Sequence, residues 1–312
     1  MKHDYGSTPL VHAKSRIELS VVIPFFNCSN CVSEVLDRIG LTLRKLGVSY
    51  EIIAVNDGSS DNTSTCLMKE IEKDRHITLC SYEKNMGKGY AIRYGIRRSH
   101  GEIVIFIDGD LDVSPDAICE YIKALNDCDL VIASKRHPLS KIRMSATRKI
   151  LSKLFNFLVR SLTGIRLSDT QTGLKVGDGN VLRDIFSVMR VNSYAFDVEF
   201  LTASTLLGLR IKEMPVELSI ENKFRLTQIL QMLIDLLAIA YRFKIRREFE
   251  SLKVRIDLHR IRREFESMKV RIEGDQKAEI VQLVKVQIQE ALNGSATNNS
   301  PEIKVPGSYE SG

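Results

Sequence analysis

The chain has 312 residues, 44% of them apolar, enough for one large domain or for a domain plus an appendage around a full-sized core. No apolar run reaches the ~20 residues that span a bilayer, and Met1 to Arg16 is polar without a signal-peptide core, so neither a spanning nor an exported chain is expected, and a cytoplasmic one is. The net charge of +6 is uneven: Arg242 to Glu273 holds eleven Lys or Arg against six Asp or Glu, a net +5, so the excess belongs to a C-terminal appendage and no nucleic-acid partner is expected for the core.

Glu18 to Pro24 reads as a buried strand, followed by helical spacing at Val32, Val35, Leu36, Ile39 and Leu43. The six cysteines, including Cys28-Ser29-Asn30-Cys31 with no second pair, read as reduced structural thiols. Tyr50 to Val55 is a second strand and Asp61 to Lys73 a helix with Asp61 as its N-cap. Ile77 to Cys80 is a third strand, Gly87 to Arg98 a helix, and Glu102 to Ile107 a fourth strand, apolar throughout Ile103 to Ile107. That strand runs into Asp108-Gly109-Asp110-Leu111-Asp112, where acids alternate on a rigid strand end. Aspartate oxygens are hard ligands suited to Mg²⁺ or Mn²⁺, and such ions commonly bridge carboxylates to substrate phosphates. Ser114 and Pro115 open another helix, and Leu130 to Ala133 is a fifth strand.

Alternating strands and helices imply an α/β fold with a mostly parallel sheet covered on both faces. In such sheets ligands sit beyond the carboxyl ends of the strands. The polar clusters fall there: Asn27, Asn56 to Ser59, Asn85 to Gly89, and the acids. No Gly-x-Gly-x-x-Gly follows the first strand and Gly87-Lys88-Gly89 lacks the rest of a P-loop, which argues against a dehydrogenase or a P-loop kinase.

Further on, Arg148 to Leu162 is an amphipathic helix, and Ser168 to Gly173 is a polar turn. Gly179 to Met189 and Phe196 to Leu207 are helical, and Ile211 to Leu218 is a strand placed at an edge by Pro215. From Leu226 the chain is helical, and Ile229 to Phe243 is the most apolar run, suited to a buried or membrane-surface helix. Ile245 to Ile256 recurs as Ile261 to Ile272 with one change, Leu252 to Met268, at an offset of 16 residues. One straight helix would turn the two stripes about 160° apart, so a break near Asp257 to Arg260 or two different partners is expected. Alternation at Leu252, Val254, Ile256 and Leu258 also fits a strand. The expected divisions are a polar segment 1–17, a catalytic unit 18–225, an apolar helix 226–244, a basic appendage 245–292 and a polar, disordered tail 293–312.

These motifs resemble family-2 glycosyltransferases with the GT-A fold, and within them the polyprenyl- and dolichyl-phosphate sugar transferases. The resemblance rests on Val21 to Asn27, Asn56 to Asp61, Asn85 to Ala91, Asp108-Gly109-Asp110, Asp169 to Lys175 and Phe196 to Glu199. It implies an inverting transfer of a hexose from a nucleoside-diphosphate sugar, of the GDP-mannose or UDP-glucose type, to a lipid phosphate. By position, it assigns Pro24, Phe26, Asn27, Val55 and Asp57 to the nucleotide. Lys88, Asp108, Gly109 and Asp110 fall to the diphosphate, Asp108, Asp110 and Asp112 to the metal, and Lys135 and Arg148 to the acceptor phosphate. Lys223 and Arg225 match a loop over the diphosphate. Lys135 stands where Arg is frequent, Cys28 where Glu is usual, and Asn56 replaces the first acid of a common Asp-Asp pair. The apolar helices imply a membrane surface, peripheral on the cytoplasmic face. The repeat, mixing acids with bases, implies homo-oligomerisation more than lipid binding. A nucleotidyltransferase would show a Gly-rich basic loop after the first strand instead of Pro-Phe-Phe-Asn. A transferase acting on a non-lipid acceptor, or a non-catalytic scaffold, stands as the other reading.

Overall fold

Alternating apolar strands and amphipathic helices build the first half: β1 (Leu19–Phe25), α1 (Val32–Leu46), β2 (Tyr50–Asp57), α2 (Thr63–Lys73), β3 (Ile77–Tyr82), α3 (Lys88–Ile96), β4 (Ile103–Phe106), α4 (Ile118–Ala124) and β5 (Leu130–Ala133). The second half adds β6 (Lys141–Met144), α5 (Ala146–Thr163), β7 (Lys175–Asp178), α6 (Gly179–Val188), α7 (Phe196–Leu206), β8 (Ile211–Met214), β9 (Glu217–Ile220) and α8 (Leu226–Lys244). This computed structural model describes residues 17–220, 226–244, 252–253 and 255–259. Lys223, Arg225, residues 1–16, the second repeat copy and the tail 293–312 lie outside the described residues.

Seven strands form one sheet in the order β3-β2-β1-β4-β7-β5-β8, while β6 and β9 pair as a separate parallel ribbon. β7 runs antiparallel to both β4 and β5, and every other pairing in the large sheet is parallel. Strand side chains alternate between two cores. Val22, Val104 and Phe106 face the layer of α3, α6, α7 and α8. Val21, Ile23, Ile105 and Ile107 face the layer of α1 and α4. Both faces are covered, which is why these strands read as continuous apolar runs rather than alternating ones.

Four expectations are corrected. Ile211 to Leu218 is two strands, not one. Pro215 has no N–H to continue the ladder, and its carbonyl instead accepts the Tyr121 hydroxyl at 2.9 Å. β8 does lie at the sheet edge. Asp61 is not the cap of α2, which begins after Asn62; its carboxylate accepts from the Thr63 N–H at 3.0 Å and the Ser29 N–H at 3.1 Å, joining two loops. Cys28 and Cys31 are bonded to each other, while Cys66, Cys80, Cys119 and Cys128 are free thiols. Where the described residues cover the first repeat copy, it is helical, 257–259 included. Leu252 and Ile256 are buried in the same core as α8, on one face of that helical stretch because they lie four residues apart.

α8 has two faces. Met232, Leu236, Ile239 and Phe243 point inward, each burial worth roughly 1.5–3 kcal/mol. Arg242 pairs with the fully buried Glu199, and Asp235 accepts from the Ser193 hydroxyl. On the opposite face Leu230, Ile234, Leu237 and Tyr241 are exposed. α5, which packs against α8, exposes Ile150, Leu151, Leu154 and Phe157. Among the described residues no helix is long and apolar enough to cross a membrane.

Candidate active site

The carboxyl end of β4 opens into the acid turn, and backbone geometry there is tightly specified. A β-carbon at Gly109 would come within 2.8 Å of the Pro24 carbonyl, so the turn passes directly across the end of β1. Leu111 has φ 57°, a left-handed conformation that costs a branched residue energy and that persists only where the surroundings impose it. It folds the chain so that the Asp112 N–H donates to the Asp110 carboxylate at 3.1 Å. A β-carbon at Gly173, in the loop before β7, would overlap the Asp108 carboxylate. Glycine there lets the two segments close on each other.

Charge is concentrated at this point. Lys88, at the start of α3, holds its Nζ 2.6 Å from Asp108 Oδ1. Burial alone would push its ammonium down, but Asp108, Asp197 and Asp110 around it keep it above its ordinary value. Partial desolvation and the Asp108 charge raise the Asp110 carboxyl. Desolvation, then Asp110 and Asp108, push Asp112 up to about 6, against the opposing pull of Arg148. Desolvation lowers the Arg148 guanidinium, and Asp112 offsets part of that.

The donor set fits a divalent cation in one particular way. Among the described residues no three His, Cys, Asp or Glu side chains converge into a closed metal cage. Asp108 faces Lys88, leaving Asp110 and Asp112 as two crowded carboxylates short of positive charge. Mg²⁺ characteristically takes one or two carboxylates and completes its shell with water and substrate phosphates. Two hard oxygen donors at an open strand end match that requirement.

Behind the turn lies a buried polar layer. Lys175, 1% exposed, donates to the Thr172 carbonyl at 2.7 Å and pairs with Asp197 at 2.7 Å. Desolvation raises the Asp197 carboxyl, although Lys175 and Lys88 pull it the other way. Asp169 accepts from the Lys135 N–H at 2.9 Å and sits 3.5 Å from its Nζ. Its burial, which would raise its carboxyl, is outweighed by Lys135 and Thr172, so it lies below the ordinary range.

On the β1–β3 side, Asn27 adopts φ 48° and its side-chain carbonyl accepts the Ser60 N–H at 2.8 Å. Phe26 is 48% exposed beside it, and Pro24 is half-buried. Asp57 is turned inward: it accepts from the Tyr82 hydroxyl at 2.9 Å and from the N–H groups of Met86 at 2.7 Å and Gly87 at 3.1 Å. It thereby shapes the loop that presents Lys88. Val55, expected to meet the nucleotide, is instead fully buried in β2 between Pro24 of β1 and Cys80 of β3, so the sheet core keeps it from a ligand.

Of the residues singled out from sequence, Lys88, Asp108, Asp110, Asp112 and Arg148 come together. Pro24, Phe26 and Asn27 line the neighbouring β1 end, and Lys135 is drawn to Asp169. Sequence reasoning missed Lys175 as the partner of Asp197 and Gly173 as the wall against Asp108. Lysine opening the short run Lys175-Val176-Gly177-Asp178 was the available signal.

A mixed sheet whose parallel strands carry an acid turn and a lysine at their carboxyl ends defines a GT-A glycosyltransferase. The profile described as "Glycosyl transferase family 2" matches residues 20–186. The chain belongs to glycosyl transferase family 2. A dolichyl-phosphate beta-glucosyltransferase of Trichomonas vaginalis is 30% identical over 252 residues, covering 76% of this chain and 74% of the relative. The human dolichyl-phosphate beta-glucosyltransferase is 31% identical over 245 residues, covering 72% and 76%. A dodecaprenyl-phosphate galacturonate synthase of Rhizobium johnstonii is 24% identical over 239 residues, covering 74% and 69%. Among solved structures, glucosyl-3-phosphoglycerate synthase of Mycobacterium tuberculosis with Mn²⁺, UDP-glucose and phosphoglyceric acid superimposes with a TM-score of 0.56 at 21% identity, over 77% of this chain and 84% of that one, a likeness of fold.

Proposed function

We propose that this glycosyltransferase moves glucose from UDP-glucose to a polyprenyl or dolichyl phosphate at the cytoplasmic face of a membrane. The observation that carries the reading is a juxtaposition. Arg148, which faces Asp112 of the acid turn, sits in the first turn of α5, whose outer face exposes Ile150, Leu151, Leu154 and Phe157. A lipid lying along that face would deliver its phosphate to the acid turn. The relatives, named for dolichyl-phosphate glucosyl transfer, support both lipid and sugar.

In this reading Pro24, Phe26, Asn27 and the loop held by Asp57 receive the nucleotide. Lys88, Asp108 and Gly109 border the diphosphate. Asp110 and Asp112 hold Mg²⁺ or Mn²⁺, which when bound neutralises charge building on the leaving diphosphate. Lys135 and Arg148 orient the acceptor phosphate. A phosphate monoester has its second pKa near ~6 and is largely ionised at neutral pH, so no strong general base is required. One phosphate oxygen bonds to the anomeric carbon as its bond to the diphosphate oxygen breaks on the opposite face, inverting an α-linked donor to a β-linked product. Residues 18–225 form the catalytic unit.

The test supplies radiolabelled UDP-glucose or GDP-mannose with dolichyl phosphate or with free dolichol. Label from UDP-glucose should enter the organic phase with the phosphate alone, and Arg148→Ala should raise the KM for the lipid at least tenfold. Equal transfer to free dolichol, or to a water-soluble acceptor, would refute the acceptor, and preference for GDP-mannose would refute the donor.

A further inference from the structure

Away from the acid turn, an open cavity of about 480 Å³ lies along the C-terminal half of α5. Four cations line it: Arg136 from the segment after β5, Lys153 and Arg160 from α5, and Arg166 from the loop beyond. Lys153 and Arg160 are seven residues apart, two helical turns, and so share one face. Gly164, with φ 78°, ends α5 in a left-handed cap. The Arg136 guanidinium donates to the Ser152 carbonyl at 2.9 Å, which fixes it against the helix. No carboxylate lines the cavity, and among the described residues none of the four cations forms an ion pair.

Cations on an ordinary solvated face are usually interleaved with acids. Four around one concavity repel one another, and an anion placed between them would remove that penalty. Arginine forks match phosphate oxygens in particular. The rim then indicates where the anion comes from. Phe157 lines the same cavity at 66% exposure, with Leu154 and Ile150 on the same outward face of α5 at 55% and 66%. Apolar groups flanked by Lys and Arg are the pattern of a helix seated at a lipid headgroup layer. Arg148 and Arg160 are twelve residues apart on α5, about 18 Å at 1.5 Å per residue, so one acceptor phosphate cannot occupy both places.

We propose that this cavity binds the phosphate headgroup of an anionic membrane phospholipid, a second phosphate site separate from the acceptor site. The assignment rests on the membrane approach through α5 proposed above. It would anchor the distal half of α5 while the head of the same helix meets the acceptor.

The test measures flotation of the full chain with vesicles of phosphatidylcholine alone and of phosphatidylcholine containing phosphatidylinositol, at constant ionic strength. The combined change Lys153→Gln, Arg160→Gln and Arg166→Gln alters exposed side chains and should leave the fold intact. It should weaken binding to the anionic vesicles about tenfold or more and leave binding to neutral vesicles unchanged. Leu154→Ser with Phe157→Ser should weaken binding to both. Equal anionic-vesicle binding by the triple variant and the parent overturns the cavity assignment and leaves the membrane reading standing. No vesicle binding by the parent overturns both. A third arm adds glycerol 3-phosphate and inorganic phosphate. If either raises the parent's melting temperature, fails to raise the triple variant's, and the variant still floats normally, the cavity takes a soluble phosphate and the lipid assignment fails.

Discussion

At the scale of single residues, the acid turn sacrifices stability for chemistry. Asp110 has its carboxyl raised by partial desolvation and by Asp108, so its ionised form is worse off folded than unfolded. The resulting penalty is absent below the ordinary carboxyl value of 3.8, where both states are protonated, and is complete above the raised value. Asp110→Asn should therefore raise the unfolding free energy at pH 7, by no more than about 1 kcal/mol because the side chain meets solvent, and with it the melting temperature. That gain should vanish as the pH falls below ~4. The same change should abolish most turnover, and EDTA should do likewise to the parent, with Mn²⁺ or Mg²⁺ restoring it. Full turnover in Asp110→Asn or in EDTA would remove the metal from the reading. A melting temperature that drops at pH 7 would show instead that Asp110 supports the turn.

At the scale of elements, legibility in the sequence follows burial. β1, β2, β4 and β5 are apolar runs of two-sided burial, and helices α1, α5, α6 and α8 announce themselves by spacing; all were visible before the structure. β6 and β7 were not. β6 is a four-residue strand with alternate exposed positions, and β7 opens on a charged residue. Lys175 reads as a surface residue until Asp197, 22 positions later, is seen to neutralise it. The same logic hid the anchoring of α8. Glu199 is fully buried and accepts from the Arg190 N–H at 3.1 Å and the Val191 N–H at 2.8 Å as well as pairing with Arg242. Such pairings span long sequence separations, so periodicity cannot reveal them. Of the candidate site, the acids and Lys88 were readable from their positions at strand ends, and Arg148 only through the family resemblance; the inward turn of Asp57 and the wall at Gly173 needed coordinates. Glu199→Ala would remove the buried carboxylate that Arg242 pairs with and leave two N–H groups unsatisfied. The expected loss is about 3–5 kcal/mol, seen as a lower urea midpoint. A loss below ~1 kcal/mol, the worth of an exposed pair, would mean that α8 is held by its apolar face alone.

At the scale of the whole molecule, the C-terminal region divides by what it touches. Leu252 and Ile256 are 3% and 1% exposed within the core that holds α8. Arg255 and His259 reach Asp184 of α6 at 3.4 Å and 2.9 Å. The described residues of the first repeat copy are thus part of the folded unit, although the same residue pattern recurs 16 positions later. The second copy, residues 261–272, lies outside the described residues, and self-association through it is the expectation from sequence. Its mixture of acids and bases suits a second chain better than an anionic bilayer. Two truncations separate these roles. Ending the chain after Lys244 removes the two buried aliphatic side chains, at roughly 1.5–3 kcal/mol each, and should lower the melting temperature and reduce oligomer size together. Ending it after His259 should preserve the melting temperature and the turnover with lipid acceptor while reducing the mass measured by light scattering. An unchanged mass after the shorter truncation would show that the second copy does not mediate self-association. A lowered melting temperature would show that it too belongs to the folded unit.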